Sequence, residues 1–178
     1  PTVMLKQILI LIPLFFFGFT KAQDKIFWDE NRKLIWGDFL SKTSPSTSKT
    51  AATTFCGISY LLNSSTKKFT DKQVKIESFF IPSKSWAHPE HKTDNVLMHE
   101  QSHFDIAELF ARRFRKIISD KSLDVKSLQK YYERIYDDYK AYQQDYETVT
   151  NHGRIRDKQL EYSQKIDKEI KDLSDFKI

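Results

Sequence analysis

Two hydrophobic periods divide the chain. Val74, Ile76, Ser78 and Phe80 alternate with Lys75, Glu77 and Phe79, a two-residue period that predicts a strand from Val74 to Ile81, stopped by Pro82. Upstream, the β-branched and aromatic stretch Thr53 to Leu62 predicts another strand, ended by Asn63-Ser64-Ser65. Ile26-Phe27-Trp28 and Leu34-Ile35-Trp36 flank a turn-like Asp29-Glu30-Asn31 and read as a short hairpin. The Ser/Thr/Lys-rich stretch 41–50, with Pro45, reads as an exposed connection.

From Asp94 the period lengthens to three and four. Val96, Leu97, His99, His103, Ile106, Ala107, Phe110, Phe114, Ile117 and Ile118 predict an amphipathic helix capped by Thr93 or Asp94. Gln101, Ser102, Asp105, Glu108, Arg112 and Arg115 are assigned to its solvent side. Leu128, Tyr132, Ile135, Tyr139, Tyr142, Tyr146 and Val149 form a seam that predicts a second helix, packed lengthwise within the domain and ended near Asn151 by Gly153. A third helix is expected from Ile155 to Leu173, with Leu160, Ile166, Ile170 and Leu173 inward. The expected class is α+β: a small antiparallel sheet, a metal-bearing helix and two further helices.

The N-terminus stands apart. Lys6 precedes an apolar run from Ile8 to Phe19, followed by Thr20-Lys21-Ala22, the small-x-small pattern of a signal-peptidase site. The run is shorter than the roughly 20 residues that span a bilayer. The reading is a signal peptide over residues 1–22 and one mature domain over 23–178, exported from a bacterium to the periplasm or beyond, with no stable membrane span. The 29 basic and 24 acidic residues include Lys6 and Lys21 in the signal, so the mature balance is 27 − 24 = +3. The run Arg112-Arg113-Phe114-Arg115-Lys116 lies within the helical pattern and reads as a solvated face rather than a nucleic-acid patch. Cys56 has no second cysteine to pair with in the chain, and Phe55 and Ile58 beside it favour burial.

The chemistry is concentrated in His99-Glu100-Gln101-Ser102-His103. Histidines four apart on a helix differ by only about 40° in direction, so both imidazoles reach one metal ion. Glu100, turned from His99 by about 100°, is placed to act on a metal-activated water as general base. Two neutral core histidines are the alternative, but burying both beside a carboxylate needs several partners. A catalytic zinc takes three protein ligands. The metzincin continuation is absent, because Ile106 and Leu109 occupy its glycine and third-histidine positions. Glu108 is turned about 180° from His99 and makes a poor ligand. Glu133 or Glu147 on the second helix would complete a two-His, one-Glu set. His152, beside Gly153, has the better claim if the second helix returns antiparallel; the alternative role for it is a helix C-terminal cation. His88 and His91 read as loop residues, and Tyr146 as seam packing rather than an oxyanion donor.

Four strings together resemble a known family: Leu34-Ile35-Trp36-Gly37-Asp38-Phe39; Ser85-Trp86; the run His99 to Glu108; and Tyr146-Glu147-Thr148-Val149-Thr150-Asn151-His152-Gly153. They resemble the bacterial family of predicted secreted zinc-dependent proteases, otherwise a domain of unknown function. That resemblance implies a zincin-like fold, His152 as third ligand beside His99 and His103, and Zn2+ as cofactor. Two positions depart from the family pattern: Glu147 stands in place of Asp, and Ser102, assigned outward, in place of Gly. By analogy with zincins, the strand at Val74–Ile81 is the expected wall for an extended peptide. The expected function is therefore hydrolysis of peptide or protein substrates with Glu100 as general base. The alternatives are an exported binding or scaffold protein with a structural metal or none, and a zinc amidohydrolase acting on cell-wall peptides.

Overall fold

The computed structural model describes residues 24–42 and 50–178; the signal-peptide reading and most of the 41–50 connection lie outside them. Within the described residues the class is α+β, a small antiparallel sheet packed against three helices. The strands are β1 (Ile26–Phe27), β2 (Ala52–Thr53), β3 (Cys56–Leu62), β4 (Val74–Phe80) and β5 (Trp86–Ala87). The helices are α1 (Asp94–Ile118), α2 (Val125–Thr150) and α3 (Arg156–Lys171).

The main sheet has the order β1-β4-β3, every pair antiparallel, and β2 pairs separately with β5. The alternation in β4 does what the sequence implies: Val74, Ile76, Ser78 and Phe80 are buried. Ile26-Phe27 does not fold back on Leu34-Ile35-Trp36; it pairs with Phe79 and Phe80 of β4, and only an isolated bridge joins Asp29 to Arg32. Residues Trp36–Asp38 form a 3-10 turn instead of a hairpin arm. Leu34 and Phe39 are drawn into the core, Phe39 meeting Phe80 edge-on. This tertiary burial outweighs the local hairpin signal.

Thr93 caps α1, its Oγ1 accepting from the Val96 amide. The assignment of one α1 face to solvent is overturned. Ser102, Asp105, Glu108 and Arg112 are all at most 6% exposed. Ser102 Oγ donates to the Met98 carbonyl and lies 3.0 Å from Ser163 Oγ of α3, so a third helix covers the face expected to be open. Arg112 and Arg115 donate to Glu108, which also accepts from Ser78 Oγ of β4. α1 is thus the hub of the molecule, enclosed by the sheet, α2, α3 and the N-terminal segment. The basic run contains a buried ion network rather than a wholly solvated face.

The tyrosine seam packs α2 as expected, with Leu128, Ile135, Tyr139 and Tyr146 buried. In α3, Ile166 and Ile170 point inward, but Leu160 is 39% exposed and Tyr162 takes a core place. Cys56 is half-buried, with Sγ facing the His103 carbonyl and the Tyr139 hydroxyl. Among the described residues no helix is long and apolar enough to cross a membrane.

Candidate metal centre

α1 presents His99 and His103 one turn apart, and α2 runs back across them so that its last turn supplies Glu147. The Nε2 atoms of the two histidines are 3.1 Å apart. Glu147 Oε1 lies 3.0 Å from His103 Nε2 and 3.6 Å from His99 Nε2. Three donors from His99, His103 and Glu147 therefore converge on one point. Tetrahedral zinc with bonds of about 2.0–2.1 Å sets its ligand atoms about 3.3 Å apart, so the spacing fits such an ion, as does a two-nitrogen, one-carboxylate set.

The surroundings hold these donors still. The Tyr146 ring stacks on His99 at 4.9 Å and meets His103 edge-on at 5.1 Å. Its hydroxyl donates to the His99 carbonyl and the residue is fully buried, in keeping with the packing role. Burial raises the Tyr146 pKa above its ordinary value. Behind His103, Gln143 Oε1 is 2.5 Å from Nδ1, while Gln143 Nε2 donates to the His103 carbonyl. Nδ1 of His103 therefore carries the proton and Nε2 presents its lone pair to the convergence point.

The back of the motif helix is clipped by the N-terminal segment. Gln101 Oε1 accepts from the Leu34 amide at 2.7 Å, and its Nε2 donates to Asp105. Asp105 also accepts from Trp28 Nε1 at 2.6 Å and from Lys33 Nζ. Burial raises the Asp105 pKa against the opposing effect of these donors. Gln101 and Asp105 are thus fasteners for the helix that bears His99 and His103, not solvated polar residues.

In the metal-free site burial would lower the His103 pKa, but the hydrogen bond it donates to Glu147, with help from Glu100 and Gln143, raises it above 6.5. For Glu147 burial acts to raise the pKa, and hydrogen bonds from His103 and His99 hold it well below the usual carboxylate range. The Glu147 carboxylate thus faces the His103 imidazole at 3.0 Å, an arrangement in which a cation can take the place of a proton.

Glu100 is 4% exposed and lines a cavity of about 570 Å³ together with His99, Glu147, His91, His152 and Arg154. Its Oε2 is buried without a hydrogen-bond partner among the described residues. A second cavity, of about 400 Å³, lies on the other side of Glu147, against His103, Gln143 and Tyr139. Residues Thr50, Ala51 and Ala52 wall the first cavity, and Thr54 and Cys56 the second. The wall beside the site is thus the 50–56 segment. β4, the strand expected there, is the middle strand of the sheet, paired along its length with β3 and at Phe79 and Phe80 with β1, and it lines neither cavity.

His152 lies in the first cavity but outside the converging set. Its Nδ1 is 2.5 Å from Glu147 Oε2, the oxygen turned away from His103. It belongs to three successive left-handed residues, Asn151, His152 and Gly153 (φ of 48°, 57° and 74°). A left-handed conformation costs a residue such as histidine about 1–2 kcal/mol, so surrounding contacts must impose it. Buried Thr150 does so: its Oγ1 donates to the Tyr146 carbonyl and accepts from the Gly153 amide. Asn95 at the start of α1 donates to the Gly153 carbonyl and ties the turn to the motif helix. Glu133 is not at the site; it accepts from Gln129 on the exposed side of α2. His91 lines the cavity mouth, and His88 packs against Trp86.

Residues 83–153 match the model of a family described as a bacterial protein of unknown function (DUF922). The matched span contains His99, Glu100, His103, Glu147 and His152. No curated protein and no solved structure matches the chain.

Proposed function

We propose that the protein is an exported zinc-dependent hydrolase of peptide bonds, zincin-like in arrangement. The observation that carries this reading is the convergence of His99, His103 and Glu147 beside buried Glu100 on the wall of an open cavity. His99 and His103 would hold the ion through Nε2 and Glu147 through Oε1. His152, whose Nδ1 lies beside the other Glu147 oxygen as an ion-pair contact, is placed to steady that carboxylate, a partner arrangement common behind metal ligands.

Bound zinc supplies Lewis-acid activation of water and of the scissile carbonyl. Glu100 supplies the base. It is rotated out of the ligand set and its Oε2 is unengaged, so it is free to take a proton from the attacking water and return it to the leaving amine. The two cavities on either side of Glu147 share the 50–56 wall, which suits a chain held extended through the site.

Two substitutions test this. Zinc-loaded Glu100→Gln keeps its metal and loses cleavage of a broad peptide library by at least about 100-fold. Unchanged cleavage would remove Glu100 from the mechanism, and absence of cleavage by the zinc-loaded wild type would favour the binding-protein alternative. For the third donor, Glu147→Ala loses zinc while His152→Ala weakens it. The opposite order assigns the third position to His152.

A further inference from the structure

His103 has Gln143 behind its Nδ1, and the corresponding nitrogen of His99 has no such partner among the described residues. With Nε2 of His99 turned to the convergence point, its Nδ1 must carry the ring proton, and that atom is buried with no hydrogen-bond partner among the described residues. A buried N–H left unpaired costs about 1–3 kcal/mol. Gln159 of α3 is fully buried, and its Oε1 is an acceptor likewise without a partner among the described residues. Its Nε2 donates to the Asn95 carbonyl at 2.8 Å, an oxygen that only accepts, so the sense of the amide is fixed and Oε1 faces the other way.

Both orphaned atoms border the same small space. A Cβ added to Gly153 would stand 2.8 Å from Gln159 Oε1, 2.9 Å from His99 Cγ and 3.0 Å from His99 Nδ1. The absent side chain of Gly153 leaves open the space that the ring nitrogen and the amide oxygen both border. Its φ of +74° adds a second reason for glycine.

We infer that Gln159 is the positioning residue for His99: its Oε1 accepts the Nδ1–H of the zinc-loaded centre, fixing tautomer and ring orientation as Gln143 does for His103. The inference rests on the zinc reading above and extends it to a third helix. α1 provides two ligands, α2 the third, and α2 and α3 each supply one glutamine behind a histidine. α3 lies beyond the span matched by the family model, so the site draws on chain outside that span.

Zinc affinity, measured by competition with a chromophoric chelator, separates this role from packing. Gln159→Leu, close in volume but with no acceptor, is expected to weaken zinc about 10- to 100-fold. Gln159→Glu, which keeps the acceptor but turns a carboxylate oxygen to the Asn95 carbonyl, loses thermal stability yet holds zinc more tightly than Gln159→Leu. A purely structural glutamine would lower the melting temperature in both variants and leave zinc affinity of the folded protein unchanged, which overturns the inference. If Gln159→Leu does not fold, nitrogen-15 NMR of the zinc-loaded wild type decides. A slowly exchanging His99 Nδ1–H with a nuclear Overhauser contact to the Gln159 side chain supports the inference. A freely exchanging one overturns it. A wild type that binds no zinc overturns the zinc reading as well, whereas tight wild-type binding unaffected by Gln159→Leu overturns this inference alone.

Discussion

Replacing Glu108 by alanine probes the buried back of α1. Glu108 is 4% exposed and accepts from Arg112 Nε at 2.9 Å, Arg115 Nη1 at 3.1 Å and Ser78 Oγ at 2.6 Å. Arg112 is 2% exposed and, with Glu108 gone, keeps one hydrogen bond, from Nη1 to the Ile170 carbonyl. Arg115 retains the carbonyls of Ile76 and Phe176. The dominant loss is therefore an uncompensated guanidinium in the interior, a defect that costs about 3–5 kcal/mol. Against a usual total of about 5–15 kcal/mol, that removes a large share of the stability. Urea denaturation of the chelator-treated protein, followed by far-ultraviolet circular dichroism, reads it directly; without metal the transition is free of ligand linkage. The double variant Glu108→Leu, Arg112→Met removes charge and countercharge together and is expected to recover at least half of the loss. A loss below about 1 kcal/mol, the range of solvated ion pairs, would refute the claim that this face of α1 is interior.

Two more expectations concern titrating groups. Burial pushes the Cys56 thiol up to about 12 despite the Tyr139 hydrogen bond, so roughly one molecule in ten thousand carries the thiolate at about pH 8; a maleimide should label Cys56 only after unfolding, and rapid labelling of the native protein would contradict the packing. In the metal-free protein the stability from the raised His103 pKa is fully present below 6.5 and is lost as pH rises through the folded value. That from the lowered Glu147 pKa is present above 4.5 and is lost as pH falls through the folded value. The pair therefore stabilises metal-free protein most between pH 4.5 and 6.5, while the gain from added zinc rises towards higher pH because protons compete for the ligands. Melting curves with chelator and with zinc across this range should diverge, and parallel profiles would show that the ion does not meet these groups.

The strands and helices were legible wherever one periodicity ran long enough, as in Val74 to Phe80 and along the tyrosine seam. The hairpin failed because the partner of Ile26-Phe27 is β4, a pairing set by the core and not by the turn between them. The polar face of α1 misled for a related reason. Helical periodicity separates apolar from polar side chains, but it does not say whether another element covers the polar set. Arg112, Glu108, Asp105 and Ser102 are interior because their partners come from Ser78, Trp28, Lys33, Ser163 and the last turn of α3. His99, Glu100 and His103 were readable from spacing alone. Glu147 stood among the candidates, and the structure brings its Oε1 within 3.6 Å of both histidine Nε2 atoms because α2 ends over the motif helix, with His152 beside its other oxygen. Gln143 and Gln159 left no signal, since an isolated glutamine has no pattern. The nearest hint was Gly153, whose need for a bare backbone against the His99 ring appears only when the chain is folded.

The central claim is that His99, His103 and Glu147 bind one zinc ion. Metal analysis and competition titration of purified protein test it most directly. The account predicts one equivalent of tightly held zinc in wild type and in Glu100→Gln, and loss of it in His103→Ala. Trace zinc well below one equivalent, unchanged by His103→Ala, would contradict it.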